Sequence, residues 1–145
     1  MNKLTLITLF LVVTALISSC KKEEEKPTVE SQLIGLWKID EIYVDGVLDT
    51  ESLNIFTWNY ELLEGGTGTR NIVGFGEQSS TWSYDVATEE LTIIVEELSI
   101  PVEGGTITLE GDTAVAKITK LDEANLWLGY DFEGAAIEER YLKGN

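Results

Sequence analysis

The sequence predicts an all-β fold built from antiparallel strands, and three observations carry that expectation. Beyond residue 33 the apolar side chains recur at period two or in short β-branched runs; Gly, Asp and Asn fall between the runs; no stretch keeps helical periodicity over several turns. The runs cover residues 34–44, 53–63, 69–75, 80–86, 90–98, 106–110, 113–121, 125–132 and 136–142. Asp45 with Gly46, Gly65 with Gly66 and Gly68, Gly74 with Gly76, Gly104 with Gly105, Gly111 with Asp112, and residues 122–125 separate most of them. Such residues supply the positive φ angles or local side-chain hydrogen bonds that tight reversals need, so neighbouring runs are expected to pair antiparallel.

Alternation also shows which face is dry. In residues 53–63, Phe56, Trp58, Tyr60 and Leu62 share one face, against Thr57, Asn59 and Glu61. Trp82, Tyr84 and Val86 share another, as do Leu91, Ile93 and Val95, and then Leu126, Leu128, Tyr130 and Phe132. An antiparallel sheet with one dry face must pack on a second sheet or close upon itself, and closure removes the exposed edges. About eight or nine strands suits a closed barrel with room for side chains or one small ligand.

Ahead of these runs lie two segments that build no core. Lys3, an apolar run at residues 4–17 and the small Ser18 and Ser19 follow the order of a secretory signal, and the run is too short to span a bilayer comfortably. The sequence Ile17, Ser18, Ser19, Cys20 resembles the lipobox of bacterial lipoproteins. That resemblance implies that residues 1–19 are a cleaved signal peptide. It also implies that Cys20, the single cysteine, carries a diacyl group and a further acyl chain such as palmitate on the new N-terminus. Each buried acyl methylene contributes about 0.8 kcal/mol, so several chains anchor firmly where one is marginal. Residues 21–31 are mostly charged and are expected to form, with Cys20, a flexible tether over residues 20–31, reaching about 35–40 Å when extended. Cys20 and Lys21 followed by Glu23, Glu24 and Glu25 resemble the signal that exports some Gram-negative lipoproteins to the outer face of the outer membrane. Residues 32–145 then make one domain.

Charge and composition narrow the function. The chain carries a formal charge of −16, and −17 once Lys3 leaves with the leader, so nucleic acid and anionic surfaces repel it. With no histidine, Ser-His-Asp and Cys-His catalysis and histidine-based zinc sites are removed. Gly65 to Gly68 lack the Lys-Ser/Thr and the helix of a phosphate loop. The pairs Glu89 and Glu90, Glu96 and Glu97, Asp122 and Glu123, and Glu138 and Glu139 are adjacent, which in a strand sends the two side chains to opposite faces. They read as solvated surface rather than as a two-acid hydrolase. Neither the acids at Asp122 and Glu123 nor those at Asp131 and Glu133 have the spacing of a calcium loop. No enzyme, metal or cofactor is expected.

Gly35 and Trp37 in the first run resemble the opening Gly-x-Trp of lipocalins. Asp45 with Gly46, the aromatic run with Trp58, the turn at Gly65 to Gly68, Trp82 with Tyr84, and Ala116, Ile118 and Leu121 before Leu126 and Leu128 extend the likeness over residues 32–142. The order is similar to the short lipocalin-like domains of bacterial lipoproteins. The resemblance implies an up-and-down β-barrel with Trp37 at a closed end and a cation of the last strand over that ring, for which Arg140 is the candidate. Residues 100–109 lengthen the middle as a strand or a long loop.

Trp37, Phe56, Trp58, Tyr60, Trp82, Tyr84 and Tyr130 are the candidate barrel-interior set, whether they line a ligand cavity or fill a core. Trp127 alternates against Leu126 and Leu128, so it faces outward as a candidate contact for a sugar or a partner protein. The functional expectation is a non-catalytic, lipid-anchored barrel of the outer membrane, on its periplasmic or cell-surface side, holding a small apolar or amphipathic ligand. The alternative is an accessory surface lipoprotein with a filled barrel that docks a protein or glycan through its exterior.

Overall fold

The structure, a computed structural model, describes residues 26–55 and 57–145. The expected signal peptide, Cys20 and Phe56 therefore lie outside the described residues. In chain order the elements are α1 (Val29–Leu33), β1 (Gly35–Val44), β2 (Val47–Leu48), α2 (Ser52–Ile55), β3 (Trp58–Leu62), β4 (Thr67–Ile72), β5 (Gly76–Asp85) and β6 (Glu90–Val95). After these come β7 (Leu98–Val102), β8 (Gly105–Leu109), β9 (Asp112–Leu121), β10 (Asn125–Phe132) and β11 (Ala135–Lys143). Among the described residues no helix is long and apolar enough to cross a membrane.

The all-β expectation holds, and the sheet closes. Eight strands run β1, β3, β4, β5, β6, β9, β10, β11, each antiparallel to the next, and β11 returns to pair with β1 from Trp37 opposite Lys143 to Val44 opposite Ile137. The short β2 adds a ninth strand to the upper part of β1 through a reversal at Asp45 and Gly46, both at positive φ.

One bulge and the pairing register of the last strand set which side chains point inward. A bulge between Ile39 and Glu41 lets Trp37, Ile39 and Ile42 all face the core, and leaves Glu41 and Tyr43 outside. On β11 the inward residues are Ile137, Glu139, Tyr141 and Lys143, because these oppose the inward residues of β1 and β10.

Three of the expected strand assignments differ in the structure. The run at residues 53–63 is not one strand. The Asp49 carboxylate accepts the backbone N–H groups of Glu51 and Ser52 and the Ser52 hydroxyl, bending the chain into the single turn α2 before β3 starts at Trp58. The segment at residues 100–109 joins Leu98 and Ser99 in a β7–β8 hairpin outside the barrel, since β6 pairs directly with β9 and leaves it no sheet edge. Val86 falls past the end of β5 and is exposed rather than on the dry face.

The two ends of the barrel differ. At one end α1, capped by Thr28, lays the fully buried Leu33 over the opening, and Trp37, Leu62, Trp82 and Leu91 fill the space beneath. The indole of Trp37, fully excluded from solvent, donates to Leu33 O at 2.6 Å, and that of Trp82 donates to Leu63 O and Thr67 O, both at 3.0 Å. Lys143 Nζ sits 4.4 Å from the Trp37 ring and donates to Gln32 O and Ile34 O, tying α1 to the last strand. Because β11 alternates, this cation is Lys143 and not Arg140, which points outward. α1 also spans the boundary drawn between tether and domain at residues 31 and 32.

Candidate functional site

The opposite end stays open. It is framed by the starts of β3, β5, β9 and β11 and the ends of β1, β4, β6 and β10, with α2 and the β7–β8 hairpin beside it. A cavity of about 600 Å³ enters there, walled by Trp58, Tyr60, Tyr130 and Phe132, by the small Ala114 and Ala116 of β9, and by Ile93 and Leu128. A second lobe of about 380 Å³ runs under α2 past Ile42, Val44 and Ile55, and shares Trp58, Tyr130, Phe132 and Glu139 with the first. Both volumes are of the size that small-molecule sites have.

At the junction of the lobes stands Glu139, half-buried on the inner face of β11. Tyr130 donates its hydroxyl to Glu139 Oε1 at 2.9 Å, and Tyr141 donates to Oε2. The indole N–H of Trp58 in turn donates to the Tyr141 hydroxyl oxygen at 3.0 Å, and the Tyr60 ring packs tilted against Tyr141 with centroids 5.9 Å apart. Loss of hydration pushes the Glu139 carboxyl above its usual range, against the pull of the two tyrosine hydroxyls and of Arg70. The tyrosines respond in the same sense: burial and the nearby Glu139 charge push Tyr60 up to about 12 and raise Tyr130 and Tyr141 as well, so all three hydroxyls stay protonated and neutral.

Among the described residues that line this cavity, the cation is Arg70. Arg70 of β4 places Nε and Nη2 at 3.0 and 2.8 Å from Gln78 Oε1. Gln78 is almost wholly buried on β5 and donates to Glu96 O at 2.9 Å, which fixes the pair against its own wall. Among the described residues, no carboxylate lies within ion-pair distance of Arg70, and no cation within that distance of Glu139.

The aromatic set predicted from sequence divides in two. Trp58, Tyr60 and Tyr130 line the cavity. Trp37 and Trp82 do not, because they lie at the closed end and fill it, and the inward Tyr84 packs beside α1 at that same end. Phe56 lies outside the described residues. The filled-core and open-cavity alternatives are thus each true of one half of the barrel.

Sequence reading missed Glu139, Arg70, Gln78 and Tyr141. The signal for Glu139 was present: Ile137, Glu139 and Tyr141 alternate, so an inward Tyr141 brings Glu139 inward while Glu138 turns out to pair with Arg140 at 2.8 Å. Pairing of adjacent acids was read as a surface mark, although alternation itself buries one member. No pattern in residues 69–75 marks Arg70 as interior.

Trp127 does face outward, but its ring is covered. Arg140 from β11 lies 4.0 Å from the ring centre and Lys120 from β9 lies 4.5 Å away. Arg140 also stacks 4.1 Å from Tyr43 and binds Glu41 at 3.1 Å. The acids at Asp122 are likewise spent within the chain. Asp122 accepts the N–H groups of Ala124 and Asn125 and the Asn125 amide, bonds that hold its carboxyl at about 2.

Comparison of the chain with protein-family models, with curated proteins and with solved structures found no match.

Proposed function

We propose that this protein is a non-catalytic, lipocalin-like lipoprotein, anchored to the outer membrane through acylated Cys20, whose barrel holds a small amphipathic ligand. The observation that carries the ligand reading is the open cavity with aromatic walls and a single hydrogen-bonded carboxylate at its centre. An apolar enclosure with a few convergent polar groups is the usual form of a small-molecule site. Nothing in the arrangement asks for chemistry. Glu139 touches two neutral donors rather than a nucleophile, and with no histidine a proton relay of the usual kind has no carrier.

The chain's direction fits an anchored binder. The segment leading to Thr28 joins α1 at the closed end, so an anchor upstream leaves the cavity mouth on the far side. The alternative, exterior docking of a protein or glycan at Trp127, is weakened by the two cations already over that ring.

The test is native mass spectrometry of the acyl-free domain, first as purified and then mixed with small amphipathic molecules, alongside fatty-acid labelling of cells expressing the full chain. A stoichiometric adduct, lost when bulk is introduced by Ala116→Phe, is the expected result. Absence of any adduct would remove the ligand reading, and label on the protein that persists in Cys20→Ala would remove the anchor.

A further inference from the structure

We infer that the cavity selects an amphipathic organic cation, with its ammonium group seated between the Glu139 carboxylate and the rings of Trp58, Tyr60 and Tyr130. The inference rests on the ligand-binding reading above and adds the charge of what is bound.

Arg70 and Glu139, which both line the cavity, are not equivalent. Arg70 is held by two hydrogen bonds to Gln78, whose own amide is fixed to the backbone of Glu96, and it lies beside the Tyr60 hydroxyl, so its guanidinium is engaged along the β3–β5 wall and only its charge reaches Glu139. Glu139 instead stands where the two lobes meet, and its two partners are neutral hydroxyls. A carboxylate partly withdrawn from water with no counter-charge in contact carries a desolvation cost, and an incoming cation offsets that cost where a neutral or anionic group does not.

The surroundings point the same way. Trp58, Tyr60 and Tyr130 line the same cavity as Glu139, and an ammonium seated over aromatic rings is held by their quadrupoles as well as by the carboxylate. Asp112 and Asp131 at the mouth add negative charge, and the whole chain, at −16, raises the local concentration of cations and repels anions. For the ligand's apolar portion there is the lobe past Ile42 and Val44, ending at Ile55 and Phe132, which are 69% and 60% exposed at the rim. The head group thus enters first and the tail lies under α2.

Calorimetric titration of the folded protein with three probes of equal tail, decyltrimethylammonium, decanol and decanoate, tests this. The cation is expected to bind about tenfold more tightly than the neutral alcohol, and the anion more weakly than either. Glu139→Gln keeps an acceptor oxygen for one tyrosine and offers an amide N–H to the hydroxyl of the other, and it is expected to erase the preference for the cation while leaving decanol affinity within about twofold. Asp112→Asn, at the mouth, is expected to keep the preference.

A second readout is the pH dependence of binding, measured first on the unmodified protein. Glu139 is faced by Tyr130 of β10, Tyr141 of β11, Tyr60 of β3, Arg70 of β4 and Asp112 of β9, and the two lobes carry two further carboxyls, Asp131 at the end of β10 and Asp49 beside α2. Acidification is expected to weaken cation binding in the wild type, in Asp112→Asn and in Asp131→Asn alike and to leave it unchanged in Glu139→Gln, with decanol binding unchanged throughout. Equal affinity for cation and alcohol, tighter binding of decanoate, or a preference that survives Glu139→Gln would overturn the inference and leave the cavity reading intact. Failure of all three probes would overturn the cavity reading itself.

Discussion

Leu33→Ala is the sharpest probe of how the barrel is closed. Leu33 is fully buried although it belongs to a five-residue helix at the edge of a charged segment. Its carbonyl also accepts the Trp37 indole at 2.6 Å, so the side chain and the backbone of one residue seal the same end. Truncation of a buried Leu costs about 2–5 kcal/mol, the spread reflecting how far the site collapses. α1 hangs at the end of the domain and can settle toward the gap, which places the expected loss at about 3 kcal/mol. For a domain of this size that corresponds to a fall in Tm of about 12 °C. Urea unfolding followed by tryptophan fluorescence measures it, with an unchanged m-value showing that the same surface is exposed. Glu30→Ala, on the exposed side of the same helix, is the control and is expected to change stability by no more than about 0.5 kcal/mol. If Leu33→Ala matches Glu30→Ala, α1 is not part of the fold and the closed end is sealed by the strands alone.

Three further outcomes are expected. Lys143→Met, which removes the cation over Trp37 and two hydrogen bonds to α1, is expected to destabilise by about 1–3 kcal/mol in urea unfolding, whereas Arg140→Met leaves the Trp37 end intact and perturbs Trp127 instead. Glu139 has a raised pKa in the fold, so the native state binds more protons than the unfolded chain between about 4.3 and its folded value, and its contribution to stability falls as pH rises through that window. The difference in unfolding free energy between wild type and Glu139→Gln, measured across that range, should slope accordingly; a flat difference would place Glu139 in water. Gly68→Ala puts a methyl 2.3 Å from Glu61 O on the neighbouring strand, and a loss of about 1–3 kcal/mol by thermal unfolding is expected, because the β3–β4 backbone must move to admit it. A wild-type melting curve for that variant would contradict the spacing of β3 and β4.

Much of this architecture could be read along the chain because strand alternation and turn chemistry are local. Residues 125–132 were bounded as they are found, and the reversal at Asp45 and Gly46 announced itself by composition. α2 was missed because Asp49 organises it through side-chain bonds to residues two and three ahead, which compete with a run that otherwise alternates like a strand. The candidate site was half legible. Trp58, Tyr60 and Tyr130 were identified as interior, yet the group at its centre was set aside as surface because charged residues in a strand usually are.

Local sequence thus determined the class of fold, the strands and the dry face, since each depends on residues a few positions apart. Only closure of the sheet decided the rest. The pairing of β11 with β1 fixes the phase of the last strand, and that phase turns Glu139 inward, Arg140 out over Trp127, and Lys143 onto Trp37. Period two leaves two equivalent phases until a partner strand selects one, so the identity of the buried charge is a property of the closed barrel and not of the residues that flank it.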